Sequence, residues 1–539
     1  MKEFRDKVLD EILDNYPAKT YKNRKEHILI KGNEDEVLKI QANARTIPGI
    51  ITNRGCCYAG CKGVVLGPIK DMIHIVHGPI GCSYYTWGTR RNKAKTEPGV
   101  QNYIEYCFST DMQESDIVFG GEKKLRQAIK EAVEIFHPAA ITISATCPVG
   151  LIGDDIGAVA SEAEKLYGIQ VLSFNCEGYK GVSQSAGHHI ANNNLMRKVI
   201  GTGTRIPNKD PKKHTINLLG EYNIGGDGWE ISRVLKKIGY DIICVMTGDG
   251  TYETMKDAHT ADLNVVQCHR SINYIAEMME TKYGIPWLKV NFIGVSGTIQ
   301  TLRDMAIYFD DAELTAKTEK VIAEEVAAIE DTMEYYKTRL EGKTAFLYVG
   351  GSRSHHYQTI LNDLGIETII SGYEFAHRDD YEGREIIPDI KLDADSKNIE
   401  HLEVEKDEKN YRMILTPEKY EKLEKIIPLA EYGGIIKDMK KDTVIIDDLN
   451  HYETEKLIKL LKPDMFFSGI KDKYVVQKMG VTSKQLHSYD YSGPYAGFRG
   501  AVIFAKEISS GVHTPAWRFV TPPWKVEPLL EGKVVGGDE

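Results

Sequence analysis

Four cysteines fall within the stretch RGCCYAGCKGVVLGPIKDMIHIVHGPIGCSYYTWGTRR, residues 54–91: Cys56, Cys57, Cys61 and Cys82. Each stands beside Gly, Ala or another Cys in turn-prone sequence rather than on a packed apolar face. A thiolate binds metal only where backbone and solvent leave room for the ligand, and glycine leaves that room. Cys147 has a comparable setting, ATCPVGLIGDD, 65 residues beyond Cys82, which itself lies 26 beyond Cys56. No local hairpin gathers positions so far apart, so the fold must bring them together if they share a site. Several thiolates converging in a pocket are what an iron–sulfur cluster needs. Taken singly, each is as readily a small buried hydrophobe.

Two further constellations carry candidate chemistry. Cys268 follows the strand-like LNVVQ and opens CHRSINYI, a strand-to-helix turn, while His487 lies in SKQLHSYDYSGPY, 219 residues on. Spacing alone does not pair them, and a lone strand-end His is commonly a hydrogen-bonded core residue. In GVSQSAGHHIA, Ser183 reads as an N-cap, placing Gln184 and His188 at i and i+4 on one helix face. A histidine titrating near neutrality suits the last proton donor to a buried centre. Gly350 and Gly351, after the strand-like TAFLYV, can present backbone N–H groups to an anionic group where a side chain would block approach.

These residues need elements to position them. At 539 residues the chain exceeds one core and divides into about three domains. Composition is that of a globular protein, 42% hydrophobic and 27% charged, with mean hydropathy −0.34. No apolar run reaches the roughly 18 residues of a membrane span. The N-terminal MKEFRDKVLDEILDNYP reads as an amphipathic helix ended by Pro17 rather than a signal peptide, so a cytoplasmic location is expected. A formal net charge of −10 argues against non-specific nucleic-acid binding. The nine cysteines include no CxxC pair, which excludes zinc ribbons and thioredoxin-like sites, and they read as thiols or metal ligands.

Short β-rich runs alternate with helical stretches, the pattern of parallel α/β domains. Strands are expected at 140–145, 170–175, 215–219, 241–246, 263–267, 344–349, 367–370, 443–446 and 465–468. Many of these runs end in Gly, Cys or charged residues before a helix, the edge where open α/β sheets bind ligands. Boundaries near 205 and 340 give domains 1–205, 206–340 and 341–539, the second boundary following a charged helix over 313–340. Residues 381–437 break the rhythm with dense Lys, Glu and Asp and strand-like bits such as DIKLDA. They read as a solvated surface elaboration of the third domain, or else as a partner-docking element.

Along almost its whole length the chain resembles the alpha subunit of the nitrogenase molybdenum–iron proteins, in the branch with a long insertion in the third domain. The resemblance implies three Rossmann-like α/β domains, parallel sheets flanked by helices, with a cofactor held between them. Cys56, Cys82 and Cys147 match the alpha-subunit ligands of the P-cluster, whose remaining ligands come from a second subunit. Cys57 and Cys61 match no ligand and are taken as structural. Cys268 and His487 match the protein ligands of the iron–molybdenum cofactor, on its terminal iron and its molybdenum. A cofactor of that charge needs a positive, donor-rich cavity, for which Arg90, Arg270, Ser271, Gly350, Gly351 and Arg353 are the candidates, while Glu374, Lys471 and Gln485 resemble its homocitrate-side contacts. His188 matches the histidine that bonds a cofactor sulfur, Gln184 a glutamine near homocitrate, and Val64 the position gating access.

The implied activity is ATP-dependent reduction of dinitrogen to ammonia with hydrogen evolution. The implied assembly is an α2β2 tetramer receiving electrons from a homodimeric iron protein through the P-cluster. No nucleic acid or membrane enters this scheme. The chain departs from the familiar GGLRPRH by reading GGSRSHH at 350–356, which alters the lining at Ser352 and His355. Vanadium and iron-only relatives differ further after the two glycines, which favours the molybdenum type. The alternatives are a non-catalytic scaffold for cofactor assembly, not expected to keep His487, and a light-independent protochlorophyllide reductase subunit, with no reason for both cofactor ligands.

Overall fold

The computed structural model describes residues 2–32, 39–42, 53–89, 92–389, 399–400, 402–469 and 472–520. Runs rich in Val and Ile, buried on both faces, form three sheets that are parallel throughout except at one edge. Such double burial is what parallel sheets covered by helices require. The first sheet orders β2 (Met72–His77), β3 (Ala140–Ala145) and β4 (Gln170–Phe174) side by side. The second comprises β5 (His214–Glu221), β6 (Tyr240–Thr247), β7 (Leu263–Val266) and β8 (Trp287–Lys289), in the order β6-β5-β7-β8. The third contains β1 (Ile28–Ile30), β9 (Thr344–Tyr348), β10 (Glu367–Tyr373), β11 (Val444–Asp447), β12 (Met465–Ser468) and β13 (Thr482–Gln485), in the order β1-β11-β10-β9-β12-β13.

Chain order reverses beside β5 in the second sheet and beside β9 in the third, because successive strands add first on one side and then on the other. At such a reversal the loops after neighbouring strands diverge and leave a crevice at the carboxyl edge. Cys268 follows β7, and Gly350–Gly351 follow β9, so both lie at these crevices.

Each strand expected from the sequence forms, within a few residues of its bounds. The N-terminal helix Lys2–Leu13 also forms, but its buried Val8, Leu9, Ile12 and Leu13 pack against Phe346, Leu449 and Leu457. With β1 antiparallel to β11, residues 2–32 therefore join the third sheet instead of the first. The expected helix over 313–340 is two, Ala312–Ala327 and Glu330–Leu340.

The insertion needs a larger correction. Residues 390–398, which hold most of DIKLDA, lie outside the described residues. The described part is not a solvated excursion: Leu423, Ile427, Leu429, Tyr432, Ile435 and Ile436 are buried. Leu429 bridges Leu288 on the edge strand β8, and Arg412 pairs with Asp262 at 2.7 Å. These buried apolar residues, with the Arg412–Asp262 pair, strap the third domain onto the second. No helix among the described residues is long and apolar enough to cross a membrane.

Candidate metal-cluster sites

Cys56, Cys82 and Cys147 converge at the carboxyl edge of the first sheet. Cys82 lies in the helix Ile80–Thr89 after β2, and Cys147 opens the helix Cys147–Ile152 after β3. Gly178 follows β4: a Cβ built there would lie 3.0 Å from Cys147 Sγ and 3.3 Å from Cys56 Sγ. Burial, together with the neighbouring Cys56 and Cys147, pushes the Cys82 thiol up. Yet Cys56 and Cys82 reach the surface, and Cys147 is half-buried. Among the described residues, no three His, Cys, Asp or Glu side chains close on a single ion. Three sulfurs facing one opening at wider spacing suit a polynuclear cluster with further ligands from outside the chain.

The surface around them is apolar. The helix Ile80–Thr89 buries Ser83 alone and exposes Ile80, Tyr84, Tyr85 and Trp87. Leu151, in the helix that Cys147 opens, and Phe119, at the end of the helix Glu114–Phe119, are 77% and 87% exposed.

Cys57 and Cys61 take the opposite environment, fully buried at the start of a widened helical turn, Ala59–Leu66. Gly67 N donates to Lys62 O at 2.8 Å, an i→i+5 bond of the kind that recurs near functional sites. Val64 is buried in this turn. The turn packs backbone-to-backbone on the helix Ser185–Lys198, since a Cβ on Gly187 would lie 1.9 Å from Cys57 O. Gly60 meets Gln184 O in the same way at 1.8 Å. Two glycines thus couple the cysteine region directly to the helix that carries His188.

Gln184, not Ser183, precedes the first turn of that helix, and Ser183 Oγ accepts from Ser185 N at 3.4 Å. The cap is shifted by one residue, and His188 N donates to Gln184 O at 3.3 Å. The Gln184 side chain points at Gly55, whose Cβ would lie 2.6 Å from Oε1.

The second site is organised around Phe375, for which the sequence carries no signal. A Cβ on Gly350 would lie 2.1 Å from the Phe375 ring, and one on Gly351 would lie 3.5 Å from Cys268 Sγ. The same ring stands 5.8 Å from His188 and 6.4 Å from His487, centroid to centroid. Cys268, the glycine pair, His188 and His487 thus border one region at the junction of the domains. His487 is 5% exposed, with Nδ1 3.6 Å from Glu374 Oε2. Gln485, two residues earlier, accepts from Ser488 Oγ at 2.9 Å and donates its N–H to Asp490 at 3.2 Å.

The cationic lining divides. Arg353 donates to Tyr489 OH at 2.8 Å. Burial opposes its charge, yet Tyr489, Tyr357, Glu221 and Asp227 hold the guanidinium above its ordinary value. Arg270 turns away from the opening into Asp379 and Asp380, fully buried. Ser271 Oγ accepts from Tyr222 OH at 2.5 Å. Arg90 and Lys471 lie outside the described residues. Ser352 accepts from Arg270 N at 3.3 Å and meets His269 Nδ1 at 2.9 Å, while His355 Nε2 faces Asp438 at 3.5 Å. An aromatic after Glu374 and a His after Cys268 carry no periodic signal, so neither Phe375 nor His269 could be singled out by spacing.

Residues 56–513 match the family model of nitrogenase component 1 type oxidoreductases. The chain is 64% identical to the nitrogenase molybdenum-iron protein alpha chain of Clostridium pasteurianum, over 98% of its own length and 99% of the relative's. It is 57% identical to the alpha chain of the same name from Methanosarcina barkeri, over 97% of each. The solved structure of nitrogenase Cp1 at pH 6.5 superposes with a TM-score of 0.92 and 63% identity, covering 96% of this chain and 100% of that one.

Proposed function

Because the chain belongs to the nitrogenase component 1 family of oxidoreductases, we propose that it is the catalytic alpha chain of a molybdenum nitrogenase, reducing dinitrogen to ammonia with hydrogen as by-product. One observation carries this reading: a single chain holds an open three-thiol site and, across the packing of Gly60 on Gln184 and of Gly187 on Cys57, a second, more buried site bordered by Cys268 and His487. An electron-transfer cluster shared with a partner suits the first, and a catalytic cofactor shielded from water suits the second.

The residues fit both groups. Cys56, Cys82 and Cys147 would hold their share of the P-cluster, with a beta chain supplying the rest in an α2β2 assembly. Cys268 and His487 would hold the iron–molybdenum cofactor with its homocitrate. The space before the Cys268 thiol is open because Gly351 has no Cβ. When bound, that cofactor supplies the multi-electron redox chemistry of the reaction.

The chain's own groups do the rest. Gly350 and Gly351 let the backbone come close to an anionic body. Arg353 keeps its positive charge at the same edge. His188, buried beside Phe375, would pass a proton from a ring nitrogen to the reacting centre. Glu374 Oε2 lies 3.6 Å from His487 Nδ1 and would help fix where the imidazole sits. Val64 narrows access from the cysteine side. Electrons would arrive from a homodimeric, MgATP-dependent iron protein, and the whole would work in the cytoplasm.

The test is metal analysis of the complex purified without oxygen from its native host, alongside His487→Ala. Molybdenum stoichiometric with this chain, abundant iron, and loss of both molybdenum and dinitrogen reduction in His487→Ala are expected. Iron without molybdenum would point to an assembly scaffold. A His487→Ala protein that still held molybdenum and made ammonia normally would overturn the ligand assignment.

A further inference from the structure

The Cys268 thiol is aimed by the start of the helix His269–Tyr283, and that start is gripped by side chains the proposed reaction does not use. His269 is fixed at both ring nitrogens: Nε2 lies 2.8 Å from Asp380 Oδ1 and Nδ1 2.9 Å from Ser352 Oγ. Ser352 Oγ also accepts from Arg270 N, tying the first helical turn to the turn after β9. Arg270 spans both acids, donating from Nε to Asp380 at 2.7 Å and from Nη2 to Asp379. All of these groups are buried, so each bond acts with little screening by water.

The insertion supplies the last wall. Tyr432 stacks on the His269 ring, with centroids 3.9 Å apart and planes 15° apart, and its hydroxyl donates to Asp379 Oδ2 at 2.5 Å. The strip before it is held to the second sheet, where Ala430 N donates to Trp287 O at 2.9 Å. One buried group therefore draws on the second domain, the third domain and the insertion, and it grips His269 and Arg270, the two residues that follow the one bearing the thiol.

We propose that Tyr432, His269 and the Asp379–Asp380 pair are positioning residues for Cys268, with the insertion closing a buried brace that fixes the direction of its thiolate. The proposal rests on the reading of Cys268 as a cluster ligand. Groups that orient a metal ligand from behind typically govern metal affinity by about 10–100-fold. A segment serving only as a surface strap has no such reach.

The complex is purified without oxygen carrying Tyr432→Ala, Tyr432→Phe, or Met413→Ala as an exposed control within the insertion. Three quantities are read: molybdenum and iron content, the paramagnetic resonance of the resting cofactor, and amide hydrogen exchange over residues 266–275. For Tyr432→Ala we expect an assembled complex with shifted resonance positions and about tenfold less retained molybdenum, together with faster exchange at 266–275. Tyr432→Phe, which keeps the ring and loses the hydroxyl, should fall between it and the wild type, and Met413→Ala should match the wild type. Wild-type resonance and exchange in Tyr432→Ala would overturn the proposal. If that variant does not assemble, Tyr432→Phe decides it on the same two readouts. A wild-type complex without molybdenum or its resonance would instead sink the functional reading, and exchange at 266–275 would still judge the brace: faster supports it, unchanged overturns it.

Discussion

Gly351 shows how far a single residue constrains the site. Its φ of +60° lies in the left-handed region, where a side chain costs about 1–2 kcal/mol. Its missing Cβ also leaves free the space 3.5 Å from Cys268 Sγ. Gly342 separates these two effects, since its φ is +75° but a Cβ there meets nothing within 4 Å. Gly342→Ala and Gly351→Ala should thus lose similar thermal stability. Gly351→Ala alone should lose most of its molybdenum, and equal molybdenum in both variants would show that the glycine serves the turn and not the thiol. The glycine pair and the flanked cysteines could be read from sequence, because their neighbours advertise open backbone. Phe375 and His269 could not, because their importance comes from contacts made across domain boundaries.

At the scale of elements, strands with uninterrupted Val and Ile runs were readable to within a few residues. β2, MIHIVH, was not among those expected: its two histidines look like a turn-prone interruption until His74 is seen bonded to Thr142 at 2.7 Å and His77 to Thr110 at 3.0 Å. The insertion misled for a related reason. Its charge density outweighs its few apolar residues, yet Leu423, Ile427, Leu429, Tyr432, Ile435 and Ile436 among them are buried. Its seam on the helix His269–Tyr283 includes the ion pair Arg384–Glu277 at 3.1 Å and, beside it, Glu280. Burial and the adjacent Glu277 push the Glu280 carboxyl up to about 7 from an ordinary 4.5, with Arg384 offsetting part of the rise. An acid whose folded value is raised holds its proton more tightly in the native state, so stability falls as pH rises between those two values. Glu280→Gln should remove that slope. The variant complex should melt higher than the wild type at pH 8 and converge with it toward pH 4.5, and parallel melting curves across the range would contradict the assignment.

At the scale of the molecule, placement depends on surfaces that lie far apart in the chain. That residues 2–32 cross to the third sheet could not be read from sequence, because three short antiparallel pairs are specified by the surface they meet and not by their own pattern. The resemblance implies a partner, since the three thiols matched to the P-cluster are too few to complete it, and the exposed face beside them is where that proposal can be tested. The helix Ile80–Thr89 presents Tyr84, Tyr85 and Trp87 beside the exposed Cys82, an apolar aromatic face of the kind that dominates binding energy at interfaces. A charge placed there must be desolvated on association, so Tyr85→Asp should weaken assembly by at least about 2 kcal/mol, or roughly 30-fold. Leu166, 68% exposed, precedes β4 and so lies at the amino edge of the same sheet, away from the thiols. Sedimentation of the two variants separates an interface from mere surface hydrophobicity. Tyr85→Asp should release free chains with depleted iron, because the three cysteines lose the ligands supplied from outside, whereas Leu166→Asp should sediment as the wild type. If Tyr85→Asp assembled and kept its full iron, the aromatic face would have to cover something other than the cluster-sharing subunit.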